Sequence, residues 1–143
     1  MLMLASASAT PPEPFTAWID TGPYEELPTT RYWVTGSVMH VRDMGKAWTT
    51  MRDDITGDIM DVKIDWDIDT ATGCGSVRAT GVIIAADGET YSLSLFETFH
   101  NGARTSGFLI EGAGTHITGT WEVIWVLLPE DGTSILELTG WKH

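Results

Sequence analysis

Between Asp58 and Asp69, the apolar residues Met60, Val62, Ile64, Trp66 and Ile68 alternate with Asp61, Lys63, Asp65 and Asp67. A period of two sorts side chains onto opposite faces of an extended chain, whereas a helix would scatter both sets around its axis. The segment reads as a half-buried antiparallel strand with Trp66 directed to a core and Asp65 to water. A chain built on this pattern needs partners on both edges of every strand.

Turn signals supply the partners. Thr56-Gly57, Asp87-Gly88, Asn101-Gly102 and Ala113-Gly114 each separate two runs of this kind, as two-residue hairpin loops do. Taken as such loops, they place Glu97 opposite Ser106, Leu95 opposite Phe108, Arg78 opposite Glu97, Thr80 opposite Leu95 and Trp121 opposite Ser106. Thr56-Gly57 sets Val62 against Met51, Ile64 against Thr49 and Trp66 against Ala47, and the loop 129–132 sets Val123 against Leu138. A first hairpin turning at Arg42-Asp43-Met44-Gly45 sets His40 against Ala47. Slipping any pairing by one residue would turn apolar side chains outward.

The expected fold is therefore all-β. Eight strands, at about 33–41, 46–55, 58–69, 76–86, 89–100, 103–112, 115–128 and 133–142, form an antiparallel up-and-down meander that removes its edges by closing into a β-barrel, the rival being a meander folded into a flattened sandwich. About eight strands enclose an interior that side chains fill or that holds one small ligand. Residues 10–30 carry five of the six prolines and read as an extended Pro-rich N-terminal arm lying on the barrel, a candidate lid. Residues 1–30 are thus tail and arm, and 31–143 form one barrel domain, since 143 residues suffice for a single core. The start, Met1 to Ala9, lacks the basic segment and long apolar run of a secretion signal and reads as a tail.

Charge and cysteine content narrow the partners. A net charge of −12 without a basic patch argues against nucleic acid and against an anionic membrane surface. The single Cys74 excludes an internal disulfide and fits a reducing, cytoplasmic setting. No phosphate loop, nucleophile elbow or paired-cysteine spacing is present, and the four histidines are scattered, so neither a cofactor nor a metal is expected.

Chemistry then has to come from polar groups on the inward face. Glu97 is the expected proton carrier, held by Arg78 and Ser106; His40 in the same layer, and Tyr91 toward the other end of the face beside Asp53, complete the candidate catalytic set. Trp66, Trp121, Phe108, Leu95 and Met51 would wall a cavity, with Thr80, Ser106 and Arg104 as its polar lining. Asp53 falls near a turn and is placed at the rim. On the outer face, Trp33, Met39, Ile124, Val126, Ile135 and Trp141 would gather where the first and last strands meet, an apolar patch suited to a homo-oligomer or to docking the N-terminal arm.

Architecture and two short motifs, Ile55-Thr56-Gly57-Asp58 at one hairpin and Gly112-Ala113-Gly114-Thr115 followed by Thr118-Gly119-Thr120 at another, resemble the allene oxide cyclase-like barrels over residues 31–142. That group includes dirigent proteins and small bacterial natural-product cyclases. The resemblance implies a cofactor-independent cyclase or isomerase that shapes a small hydrophobic substrate in an apolar cavity. It assigns no catalytic residue, because no position matches a family site motif. The alternative is a non-catalytic barrel that carries a small hydrophobic ligand, as lipocalins do. The lipocalin Gly-x-Trp signature belongs near the first strand, whereas Gly119-Thr120-Trp121 lies in the seventh expected one.

Overall fold

The computed structural model describes residues 11–128 and 130–143, so the reading of Met1 to Ala9 as a tail lies outside the described residues. Among the described residues there are ten strands: β1 Glu13–Thr21, β2 Tyr24–Thr35, β3 Val38–Lys46, β4 Thr49–Asp53, β5 Gly57–Asp69, β6 Gly75–Ala85, β7 Thr90–His100, β8 Ala103–Gly112, β9 Thr115–Leu128 and β10 Thr133–Lys142. Neighbours run β2-β3-β5-β4-β1-β10-β9-β8-β7-β6, and a further β5–β6 pairing closes the ring. The result is the expected all-β, closed, eight-stranded antiparallel barrel, with β2 and β3 as two extra strands. The hairpin β2–β3 pairs with the second half of β5, from Ile64 to Asp69, and so extends the wall beyond one mouth.

Part of the expected arm is barrel. β1 pairs with β10 on one side and β4 on the other, burying Phe15, Ala17 and Ile19 in the core. The boundary expected at residue 30 falls inside β2. Prolines do not prevent this, because Pro11 and Pro12 precede β1, Pro14 is the second residue of β1 and lies outside its pairing with β4, Pro23 lies between β1 and β2, and Pro28 sits where β2 and β3 lose register. The first hairpin turns at Gly36-Ser37, where Gly36 has φ +60°, and not at residues 42–45. Arg42-Asp43 instead forms a bulge inside β3, with Asp43 at φ 55°. The expected pairings of β4 with β5 also fail, since β4 meets β5 only at Met51↔Gly57 and Thr50↔Asp58.

Two hairpins have the register the sequence implies. Glu97↔Ser106 and Leu95↔Phe108 follow from Asn101-Gly102, and Phe108↔Gly119 follows from Ala113-Gly114. The β6–β7 hairpin is different. Ala85 donates its amide to the Glu89 carbonyl at 2.9 Å and Gly88 adopts φ 92°, so the loop has three residues, with glycine in the left-handed position. The extra residue slips the register by one, giving Val77↔Glu97 and Ala79↔Leu95. Val77, Ala79, Gly81 and Ile83 therefore line the inside, and Arg78 and Thr80 turn outward.

Bulges make the remaining corrections. One at Asp61 (φ 54°) reverses parity within β5, so Ile59 is buried and Met60 is half exposed. Two irregularities opposite β10 bring Val123 against Leu136 and Trp121 against Leu138, a shift of two residues that keeps both on the expected face. The core is one cluster at the β1 side, including Ile19, Met51, Ile83, Ile110, Ile117 and Leu138, and a smaller one of Val41, Met44 and Ile64 under the hairpin. The expected outer patch does not assemble. Trp33 stacks on His40, Met39 packs on the smaller cluster, and both belong to strands far from β10 in the sheet.

Candidate functional site

At the mouth beneath the β2–β3 hairpin the interior opens into a cavity of about 230 Å³. Its walls are mainly aliphatic: Ile19, Ile59, Val62, Ile64, Leu93, Leu95 and Leu136, with Trp121. Just two charged residues border it, Glu97 and Lys46, on different sides of the ring.

Glu97 projects from β7 and is 7% exposed. Its Oε2 accepts from Arg104 Nε, the residue next but one to its cross-strand partner Ser106. Arg104 Nη2 also donates to the Trp121 carbonyl at 2.7 Å, and its guanidinium lies 4.8 Å from the Trp121 ring centroid. β8 and β9 pair from Phe108↔Gly119 to Gly112↔Thr115. Beyond that ladder Ser106 Oγ serves the Trp121 backbone, donating to its carbonyl at 2.7 Å and accepting from its amide at 3.2 Å. Trp121 Nε1 donates to the Phe96 carbonyl at 3.0 Å. The carboxylate, guanidinium, hydroxyl and indole thus form one connected patch that closes the seam and compensates the buried charge.

The opposite wall carries hydroxyls. Thr49, Thr21 and Ser134 stand directly across from one another on β4, β1 and β10, and all three border the cavity. Thr21 and Ser134 share a hydrogen bond of 3.0 Å. Thr49 is 7% exposed and its hydroxyl has no partner among the described residues. Lys46, at the end of β3, donates to the carbonyls of Gly132 at 2.6 Å and Gly22 at 3.1 Å and to Thr21 Oγ1 at 3.4 Å, while the Tyr24 ring covers its ammonium at 3.9 Å. Burial pulls the Lys46 amine down to about 8 against the weaker pull of Asp131, and burial also pushes the Tyr24 phenol up.

A buried, unpartnered hydroxyl costs about 1–3 kcal/mol, and an apolar group of the same shape avoids that cost. Thr49→Val is therefore expected to stabilise the fold by about 1 kcal/mol in urea unfolding. Lys46 gives a pH signature of definite sign. Its folded-state value lies below the ordinary 10.5, so above about 8 the folded protein releases a proton that the unfolded chain keeps. Stability contributed at this position rises between pH 8 and 10.5. The difference in unfolding free energy between the protein and Lys46→Met should move in that direction across the window.

Of the residues singled out from the sequence, Glu97, Trp121, Leu95 and Thr80 border the cavity, Thr80 while itself exposed. Ser106 and Arg104 hold Glu97 and Trp121 from behind. Met51 and Phe108 are buried core. Trp66 packs beside Tyr24 under the hairpin, ring centroids 5.6 Å apart. Two of the four expected catalytic residues, Arg78 and His40, lie on the outer face, and Tyr91 lies at the other end of the barrel beside Asp53, where the alternation puts it. Arg78 faces outward after the one-residue slip, opposite Phe96 rather than Glu97. Tyr91 is at the far mouth, in a cleft with Asp53, Asp87 and Lys142. His40 sits on the outer side of β3, its Nδ1 2.5 Å from Asp67 Oδ1 and its ring 4.8 Å from that of Trp33. Arg42 also donates to both Asp67 oxygens. Burial pushes the Asp67 carboxyl up, but the His40 and Arg42 hydrogen bonds outweigh it and hold the group below its usual range.

Lys46, Thr21, Thr49 and Ser134 escaped the sequence reading as a group. Their signal is tertiary, because Lys46 and Gly132 are 86 residues apart. Among the described residues no three His, Cys, Asp or Glu side chains converge to hold a metal ion.

No protein-family model matches the sequence, and no curated protein matches it. Among solved structures, a β-barrel-like protein from Acinetobacter baumannii AYE is similar, with a TM-score of 0.59 at 9% identity over 92% of this chain and 95% of that one. At that identity the likeness is one of fold.

Proposed function

We propose that the protein binds a small, largely apolar molecule in the upper half of its barrel. The observation that carries this reading is the cavity of about 230 Å³ with aliphatic and indole walls and a few polar groups at set places, the usual composition of a small-molecule site. Core side chains fill the opposite half, where Phe15, Ile110, Ile117 and Leu138 are almost fully buried, so the interior is neither hollow throughout nor filled throughout. Native mass spectrometry of gently purified protein should find a retained molecule of a few hundred daltons or less, released intact by solvent. A bulky side chain placed in the wall, as in Ala79→Trp, should abolish that retention while the far half of the barrel stays folded. Unchanged retention would count against the site.

A cofactor-independent cyclase or isomerase, the activity implied by the allene oxide cyclase-like resemblance, is the second reading. It is favoured by one observation, a carboxylate in the cavity wall with Arg104 in the holding role first given to Arg78. Glu97 would then shuttle a proton while Trp121 shapes the substrate. Glu97→Gln should lower turnover of an identified substrate by about a hundredfold or more, in the range of general acid–base catalysis. Retained turnover would leave binding alone.

A further inference from the structure

We propose that the molecule this cavity takes is a small apolar carboxylic acid, its carboxylate seated against the Lys46 ammonium and the hydroxyls of Thr49 and Ser134. The inference rests on the binding reading above and deepens it.

Two independent features of the wall point to an anionic head group. The first is charge balance. Glu97 is paired with Arg104, whereas no carboxylate among the described residues lies within 4.0 Å of Lys46. All three polar partners of Lys46 are neutral, two carbonyls and the Thr21 hydroxyl. Asp131 is engaged elsewhere, accepting the Thr133 amide at 2.9 Å, and acts on Lys46 only at longer range. Lys46 is thus the one charge on the cavity wall without an opposite charge in contact. The second feature is the Thr49 hydroxyl, more than nine-tenths buried and without an acceptor or donor among the described residues. Thr49 stands across from Thr21, which Lys46 touches, so the unused donor and the uncompensated cation belong to the same corner.

A carboxylate satisfies both: it replaces the longest of the three Lys46 bonds, the one to Thr21 at 3.4 Å, and accepts from the Thr49 hydroxyl at once, and such charge-assisted bonds are the stronger kind. An alcohol or ketone would answer the hydroxyl and leave the cation uncompensated. An amine would meet like charge. The rest of the wall takes an alkyl or aryl body, and the volume equals roughly eight waters at about 30 Å³ each, which suits an acid of about eight to ten heavy atoms. The overall charge of −12 does not forbid an anion, because exposed carboxylates more than about 8 Å away are largely screened at physiological salt.

The test is calorimetric titration at pH 7 with octanoic acid and with 1-octanol, which share a body and differ in head group. The acid should bind at least tenfold more tightly than the alcohol. Lys46→Met should erase that preference, lowering acid affinity tenfold or more and leaving the alcohol within about twofold. Thr49→Val, which conserves shape and should fold at least as well, gives a second readout and should weaken the acid three- to tenfold. If the alcohol binds as tightly as the acid, or both variants leave the ratio unchanged, the carboxylate is overturned while small-molecule binding stands. If neither molecule binds, the acid is overturned and the binding reading loses its support with it.

Discussion

Arg104→Ala is expected to destabilise the barrel by about 3 kcal/mol, the lower end of the cost of removing one partner from a buried ion pair, because Arg104 is itself a third exposed. The damage is to Glu97. At 7% exposure, among Leu95, Val77 and Trp121, its carboxylate would keep its desolvation and lose its partner. The Trp121 carbonyl retains Ser106 as donor, so backbone satisfaction changes less. The cation–π contact with Trp121 adds about 0.5–1 kcal/mol to the loss. Arg104→Ala combined with Glu97→Gln should recover more than half of the deficit, because a neutral amide costs far less to bury unpaired. Urea unfolding of the three variants measures this. A loss below about 1 kcal/mol for Arg104→Ala would mean that water reaches Glu97 and that the pair behaves as a surface one.

Gly140→Ala should cost a comparable amount, about 3 kcal/mol, at the top of the range for forcing atoms into an occupied site. An added Cβ at Gly140 would stand 2.0 Å from the Thr118 carbonyl oxygen and 2.8 Å from Gly119 Cα. At its cross-strand partner Gly119 a Cβ would meet the Thr139 carbonyl oxygen at 2.1 Å and the Phe108 ring at 2.8 Å. Neighbouring backbone cannot swing aside as a side chain can, so the β9–β10 ladder itself has to shift. Gly102→Asn is the matched control. Gly102 sits in a turn at φ +79° with nothing within 4 Å of an added Cβ, and asparagine tolerates that conformation. Its expected cost is under about 1 kcal/mol in thermal or urea unfolding. A loss under about 1 kcal/mol for Gly140→Ala would show that the β9–β10 ladder yields to the added Cβ and that close approach does not set the requirement for glycine there.

Where local chemistry decides geometry, the fold was legible in the residues. Asn101-Gly102 and Ala113-Gly114 carry backbone conformations with φ > 0 that two-residue hairpins need, and the pairings beyond them, Glu97↔Ser106 among these, follow by counting. Asp87-Gly88 is compatible with two loop lengths. β6 is apolar on both faces, with Val77, Ala79 and Ile83 on one and Val82 and Ile84 on the other, so alternation cannot choose between the registers. That ambiguity of one residue moved Arg78 from the Glu97 site to the outer surface. The bulges at Asp61 and Asp43 are similar cases, since an extra residue in one strand reverses parity without leaving a motif.

The candidate site divides along the same line. Glu97, Trp121 and Ser106 could be placed together because they lie on strands joined by tight turns. Arg104 was named near them and meets Glu97 across the β7–β8 hairpin; the β6–β7 slip adds only that Arg78 does not compete for it. Lys46 meets Gly132 and Gly22 because the β1–β2 corner and the β9–β10 loop close over one mouth. That meeting of distant segments is a property of ring closure, and nothing near Lys46 in the chain encodes it.

By itself, the order of residues determined that the described residues are built of strands joined by tight turns and that Glu97 points inward, since a two-residue period and short turns act over a few bonds. Only the tertiary structure decided that β1 completes the ring, that Arg104 and not Arg78 compensates Glu97, and that Lys46 and Ser134 share a corner of the cavity. Those outcomes depend on loop length to within one residue and on contacts across the barrel, where burial and not proximity in the chain fixes which charges meet.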